Sequence, residues 1–166
     1  MSLTADFYFD RAADISAEFL ASRGIKGLLL DIDNTLTLFH DPQLYSKRES
    51  EWLAMLKEKG VSACILSNNT DQGRVKAFAE LVGLPYVTGA QKPLPSGVRR
   101  GCRILGTEPA ETAVVGDQIF TDMAAARLAG ATAILVGYFE KEKSAFFKFK
   151  RFLESPFYKS SKKRRI

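Results

Sequence analysis

The sequence predicts an α/β fold, with one five-stranded parallel sheet in the order 3-2-1-4-5 and helices on both faces. Three observations predict it. Short apolar runs alternate with segments of helical period, as in consecutive βαβ units. The first run, Leu28-Leu29-Leu30, stops abruptly at Asp31-Ile32-Asp33, so a buried strand ends in carboxylates. A chain of 166 residues, 46% of them apolar, is long enough for one good core and too short for two ordinary domains.

Taken in order, residues 10–22 place Ala12, Ile15, Phe19 and Leu20 on one helical face, and Gly24 follows as a stop. Gly27–Asp33 is the first strand, apolar on both faces until its end, which must then face solvent or a ligand. Ser46 and Glu49 form a capping box before a helix whose inner side carries Trp52, Leu53 and Leu56, ending near Gly60. Val61–Leu66 is the second strand. Asn69 or Thr70 caps the next helix, with Val75, Phe78, Ala79 and Val82 inward. A short strand at Pro85–Thr88, helix Ser96–Leu105, strand Thr112–Val115, loop Gly116–Thr121, helix Asp122–Ala129 and strand Ala131–Val136 complete the body. The expected architecture is a Rossmann-like three-layer sandwich over residues 1–139. Composition shifts near Glu140, and residues 140–166 are expected to be an extension rather than a second domain.

Charge is uneven along the chain. The net charge is +5, yet residues 140–166 hold ten Lys/Arg against three Asp/Glu, leaving a slightly acidic body. Cys64 and Cys102 lack the CxxC spacing of a metal or redox site and are expected to be buried free thiols. Met1–Asp10 carries two Asp and no basic residue, unlike a secretory signal, and no apolar stretch reaches the ~18 residues of a membrane span. A cytoplasmic protein is expected. His40, beside Asp41-Pro42, is expected to be a turn residue.

Four polar segments follow apolar runs: Asp31-Ile32-Asp33-Asn34-Thr35, Ser67-Asn68-Asn69, Lys92, and Gly116-Asp117 through Asp122. In a parallel sheet all four converge on one edge, and in the expected strand order Asp31 and Asp117 meet at the switch point where ligands bind. Phosphoryl transfer explains why these residue types should meet. A carboxylate nucleophile is repelled by a phosphate dianion, so the site needs a cation, and magnesium suits an oxygen-rich cluster. Asp31 can hold the metal with one oxygen and attack with the other; Asp117 and the Asp33 carbonyl supply further oxygens, and Asp122 ligates directly or holds a metal-bound water. Asp33 can protonate the leaving alkoxide and then deprotonate the hydrolytic water. Ser67, the Asn68 region and backbone N–H groups near Asn34 and Thr35 can hold phosphoryl oxygens, and Lys92 supplies a fixed positive charge.

Asp31-Ile32-Asp33-Asn34-Thr35 resembles the D-x-D-x-[TV] motif of the haloacid dehalogenase superfamily, with Ser67, Lys92 and Asp117 to Asp122 similar to its three later motifs in the same order. The resemblance spans about residues 25–137. It implies a phosphomonoester hydrolase with Asp31 as nucleophile, Asp33 as acid and base, Thr35 and Ser67 as phosphate ligands, Lys92 as charge stabiliser, and a magnesium site at Asp117 and Asp122. Intervals Asp33–Ser67 and Ser67–Lys92 each hold one helix and one strand, too little for the cap domain that many relatives insert. The motif set is similar to the capless subfamily III, whose branches include phosphatidylglycerophosphate phosphatases.

An open site suits a phosphate carried on something large. Residues 144–166 interleave Phe146, Phe147, Phe149, Phe152, Leu153 and Phe157 with Lys148, Lys150 and Arg151 ahead of Lys162-Lys163-Arg164-Arg165, a pattern of peripheral contact with anionic lipid at the inner membrane face. The same residues suit a terminal helix packed on the body, and their charge suits nucleic acid. Two alternatives therefore stand beside a phospholipid phosphatase: a phosphatase of soluble sugar or nucleotide phosphates, and a non-catalytic RNA- or ribosome-binding module. Oligomeric state is not legible.

Overall fold

The computed structural model describes residues 3–37, 46–138 and 145–166. The turn expected at His40 and the boundary expected near Glu140 lie outside the described residues.

The strands are β1 (Phe7–Phe9), β2 (Gly27–Leu30), β3 (Ser62–Leu66), β4 (Tyr86–Val87), β5 (Thr112–Gly116) and β6 (Thr132–Val136). They form one sheet in the order β1-β6-β5-β2-β3-β4, and every pairing is parallel. The helices are α1 (Ala17–Ser22), α2 (Lys47–Glu58), α3 (Gln72–Val82), α4 (Pro95–Leu105), α5 (Ala124–Ala129) and α6 (Ala145–Lys162). The five expected strands are present in the expected order. A sixth, β1, extends the sheet beyond β6, with Phe7 opposite Ile134 and Phe9 opposite Val136. Three residues are too few to show a two-residue period, which is why this edge strand escaped the pattern.

β2 is central and fully buried, and its alternating side chains feed two cores. Leu28 and Leu30 pack with Trp52, Leu56 and Phe78 on one face. Leu29 packs with Cys64, Val98 and Met123 on the other. Truncating any of these leucines to alanine removes buried apolar area and leaves a cavity, costing ~2–5 kcal/mol. Both cysteines are buried and free, as expected.

Local signals moved three boundaries. The helix expected over 10–22 is split, because the Ser16 side chain accepts the Phe19 N–H and starts α1 there, after a single 3-10 turn at Ala12–Asp14. Asp71, rather than Asn69 or Thr70, caps α3 by accepting the Arg74 N–H. Asn69 instead accepts the Asp71 N–H and turns the chain one step earlier. Helical coil begins at Ile119 rather than Asp122, as one wide π-turn over Ile119–Met123 ahead of α5.

The C-terminal segment packs on the body. Ser161 accepts the Ala5 N–H, Arg164 donates to the Ala5 carbonyl, and Phe157 and Tyr158 meet Phe120 and Tyr8 edge-on. Only part of its aromatic set turns inward: Phe146, Phe149 and Phe152 are 70%, 61% and 74% exposed. No helix among the described residues is long and apolar enough to cross a membrane.

Candidate active site

The C-terminal ends of β2, β3 and β5 lie side by side, since Leu30 is in register with Ile65 and with Val115. The residues that follow therefore meet above the sheet. Asp31, Asp33, Ser67, Asn68, Lys92 and Asp122 line an open pocket of about 550 Å³. Asn69, Arg74, Gln118, Thr121 and Lys150 complete its wall.

Lys92 is the hub. Its ammonium donates to Asp31 Oδ1 at 2.6 Å, to Asp122 Oδ1 at 2.6 Å and to the Leu66 carbonyl at 3.0 Å. All three of its donors are used. Asn68 holds this lysine in place by accepting the Lys92 N–H and donating to the Lys92 carbonyl, so the Asn68 side chain is committed to positioning. Burial disfavours the ammonium, but Asp122 and Asp31 outweigh it and raise the Lys92 pKa above the ordinary lysine value.

Asp31, Asp117 and Asp122 each bring a carboxylate oxygen within 4.8 Å of the others. Asp122 reaches back through the π-turn, where its second oxygen accepts the Gln118 N–H at 3.1 Å. Asp117 is fully buried. Its Oδ2 takes a donor from Arg151 of α6, whereas its Oδ1 is buried without a hydrogen-bond partner among the described residues. A buried orphan carboxylate oxygen facing no donor is costly unless something else satisfies it. Burial raises the Asp117 pKa to about 7, with Arg151 opposing and Asp122 adding to the rise. Burial likewise lifts Asp31 well above the carboxylate range, against the pull of Lys92 and with Asp122 and Asp117 reinforcing it. Three crowded, desolvated carboxylates with an unsatisfied oxygen fit a small hard divalent cation, which prefers such oxygens and removes their mutual repulsion.

Not every expected residue sits where the sequence suggested. Asp33 lines the pocket as expected of an acid and base, but its carboxylate is gripped by Arg74 through two contacts, 2.5 and 3.3 Å, which the sequence did not suggest. Asn34 and Thr35, expected against phosphate, are buried and do not line the pocket. Their N–H groups are taken by the Thr37 and Ile32 carbonyls, because residues 31–37 close into a tight turn with Asn34 at φ 59°, a conformation asparagine tolerates. Ser67 does line the pocket, and its oxygen accepts the Asn69 N–H at 3.1 Å, leaving the hydroxyl proton to donate.

Sequence reasoning missed Arg74, Lys150 and Arg151. Arg74 follows its helix cap and looked like any solvated helix residue. Lys150 and Arg151 belonged to a basic run read as a surface feature, yet Lys150 donates to Gln118 on the pocket wall and Arg151 reaches the Asp117 carboxylate.

Comparison with known proteins places the chain in a family. The family model of haloacid dehalogenase-like hydrolases matches residues 38–130. The probable phosphatase YqeG of Bacillus subtilis (strain 168) is 36% identical over 122 residues, covering 74% of this chain and 70% of YqeG. The mitochondrial phosphatidylglycerophosphatase GEP4 of Saccharomyces cerevisiae is 27% identical over 129 residues, covering 68% of this chain and 66% of GEP4. Among solved structures, the cobalt-bound deoxy-D-mannose-octulosonate 8-phosphate phosphatase of Haemophilus influenzae shares the fold. Its TM-score is 0.53 at 19% identity, over 83% of this chain and 92% of that one. The chain belongs to the haloacid dehalogenase-like hydrolases, and within them it is a phosphomonoester phosphatase.

Proposed function

We propose that the enzyme hydrolyses the phosphomonoester of an anionic phospholipid, such as phosphatidylglycerophosphate, through an aspartyl-phosphate on Asp31 and with magnesium as its metal. One observation carries the mechanism: Lys92 ties Asp31 and Asp122 together at 2.6 Å each beside a buried, unsatisfied Asp117 oxygen. Asp31, Asp117 and Asp122, with the Asp33 carbonyl, would hold the ion. When bound, magnesium would neutralise the phosphate charge that otherwise repels the attacking carboxylate.

Lys92 holds Asp31 by Oδ1, which leaves Oδ2 to attack phosphorus. The ammonium, its three donors already engaged, stabilises negative charge on the phosphoryl oxygens through its own charge, and Ser67 adds a hydroxyl donor. Asp33 gives a proton to the leaving alkoxide and later takes one from the water that cleaves the aspartyl-phosphate. For this it must loosen its pair with Arg74, whose two nitrogens occupy both of its carboxylate oxygens. An incoming second anionic group offers Arg74 another partner. Asn34 and Thr35 act by shaping the turn.

Support for a lipid comes from the similarity to GEP4 and from the position of α6. Lys150 and Arg74 both line the pocket, and exposed Phe149 and Phe152 lie on the helix that carries Lys150. A second phosphate near the scissile one suits this cationic mouth, and aromatic groups beside it suit an interface. The chain places only α3 and β4 between β3 and Lys92, which supports a capless, open pocket. A peripheral position at the cytoplasmic face of a membrane follows from the same reading.

The test compares initial rates on phosphatidylglycerophosphate in anionic vesicles with rates on soluble sugar and nucleotide phosphates, with magnesium and after chelation. Lipid is expected to be preferred at least tenfold; faster turnover of soluble esters would sink the lipid reading. Salt-sensitive RNA binding that ignores both magnesium and Asp31→Asn, in a chain without turnover, would point to a binding module instead. Arg165 pairs with Asp10 and Arg164 with the Ala5 carbonyl, so part of the terminal charge is already used by the body.

A further inference from the structure

We propose that α6 is a component of the metal centre, with Arg151 as a positioning residue that presets Asp117 and reserves its Oδ1 for the ion. This rests on the reading of the three carboxylates as a metal site.

The geometry is that of a clamp on the loop after β5. Arg151 donates through one nitrogen to Asp117 Oδ2 and through the other to the Asp117 backbone carbonyl at 2.6 Å. One guanidinium therefore fixes both the side chain and the main chain of one residue. Three positions on, Glu154 accepts the Phe120 N–H at 2.9 Å and also meets Arg151 at 3.4 Å. Lys150 donates to Gln118, which also accepts the Thr121 hydroxyl at 3.1 Å. Residues 117, 118 and 120 are thus each held by a side chain of one helical turn of α6. That loop leads directly into the π-turn that presents Asp122. The Arg151 guanidinium is itself seated 4.9 Å above the Tyr138 ring.

Arg151 and Lys92 have divided the acidic cluster between them. Lys92 holds Asp31 and Asp122, and Arg151 holds Asp117 alone. Arginine suits this task, since its rigid fork can span a carboxylate and a carbonyl at once, which a lysine cannot. Loss of a group that orients a ligating carboxylate typically costs about 10–100-fold in metal affinity. An added positive charge near the site acts the other way, by repelling the ion. Orientation should dominate here, because Asp117 is completely buried and, among the described residues, no other donor than Arg151 holds its carboxylate.

The experiment measures Mn2+ and Mg2+ binding by calorimetry, without substrate, in the wild type, Arg151→Gln, Arg151→Lys and Ser161→Ala. Ser161 anchors the far end of α6 to Ala5 and touches nothing in the site, so it controls for loosening of the helix. Arg151→Gln is expected to weaken Mn2+ binding about tenfold or more. Its kcat at saturating metal should fall much less than its metal affinity. Arg151→Lys should recover part of the affinity, and Ser161→Ala should leave it unchanged. Unaltered or tighter binding in Arg151→Gln overturns the proposal, tighter binding making Arg151 a competitor for the site. If Arg151→Gln does not fold, Arg151→Lys decides alone: wild-type affinity overturns the proposal, and a loss of about threefold or more supports it. A wild type that binds no divalent ion would instead remove the metal-site reading beneath it, a distinguishable outcome.

Discussion

Gly116 lies directly beneath the Asp122 carboxylate: a Cβ on Gly116 would fall 2.3 Å from the Asp122 carboxyl carbon. The close approach lets Asp122 lean back over β5 and meet Lys92. Any side chain at 116 must push Asp122 away, and the displaced atoms belong to the bridge that holds Asp31. Gly116→Ala is therefore expected to destabilise by ~1–3 kcal/mol through overpacking. Its kcat should fall by about a hundredfold, an effect of the size seen when a preorganised charge contact is lost. Urea denaturation and steady-state rates check both numbers; a variant with near-normal kcat would separate Asp122 from the chemistry.

Lys92 is buried between two carboxylates that repel each other without it. Replacing it with methionine keeps the volume and strands both acids. The metal-free variant should lose ~3–5 kcal/mol, as when one partner of a buried ion pair is removed. Saturating magnesium should restore part of the stability but not the turnover. A stability equal to wild type would show that the acids are relieved by solvent.

The nucleophile assignment predicts a sharp loss. Asp31→Asn preserves shape but removes the attacking oxyanion, so magnesium-dependent release of phosphate from an aryl phosphate should drop at least ~10⁴-fold. The fold should persist, as judged by circular dichroism. Retained turnover would move the nucleophile elsewhere.

Asp117 makes the metal-free protein sensitive to pH in an unusual direction. Its pKa rises from 3.8 unfolded to about 7 in the fold, so the folded chain binds the extra proton between these values. The stabilising contribution is complete below about pH 4 and is lost as pH rises through about 7. After chelation, the Tm of the wild type should fall relative to Asp117→Asn across this window. Added magnesium should reverse the trend, since it binds the ionised form. A constant Tm difference would mean that Arg151 fully compensates the charge.

Phe149 and Phe152 are exposed on α6 and contribute little to its packing. Changing both to serine should alter stability by no more than ~0.5 kcal/mol. Turnover of lipid in anionic vesicles should fall several-fold while that of a soluble ester is unchanged. Equal effects on both substrates would argue against an interfacial role. Point substitutions are the better probe, because deleting α6 would also remove the Arg151 contact to Asp117.

Much of this was legible in the residues. The apolar runs of β2, β3 and β5 announced a buried parallel sheet, and a polar residue at each strand end located the site. What failed was local and short. β1 has three residues, below the length at which alternation can be seen. Asp71 rather than its neighbours won the cap of α3, a competition among adjacent polar residues that composition cannot rank. The π-turn at Ile119–Met123 follows no sequence period used for helices.

Sequence alone determined the order of five of the six strands and the gathering of Asp31, Ser67, Lys92, Asp117 and Asp122 at one edge, because hydrophobic period and parallel pairing leave few other arrangements. Only the tertiary structure decided who pairs with whom. Arg74 on Asp33 and Arg151 on Asp117 join residues 41 and 34 positions apart, and a long charged side chain carries no periodic mark of where it will reach. Burial makes those contacts strong, and burial is set by packing of the whole chain.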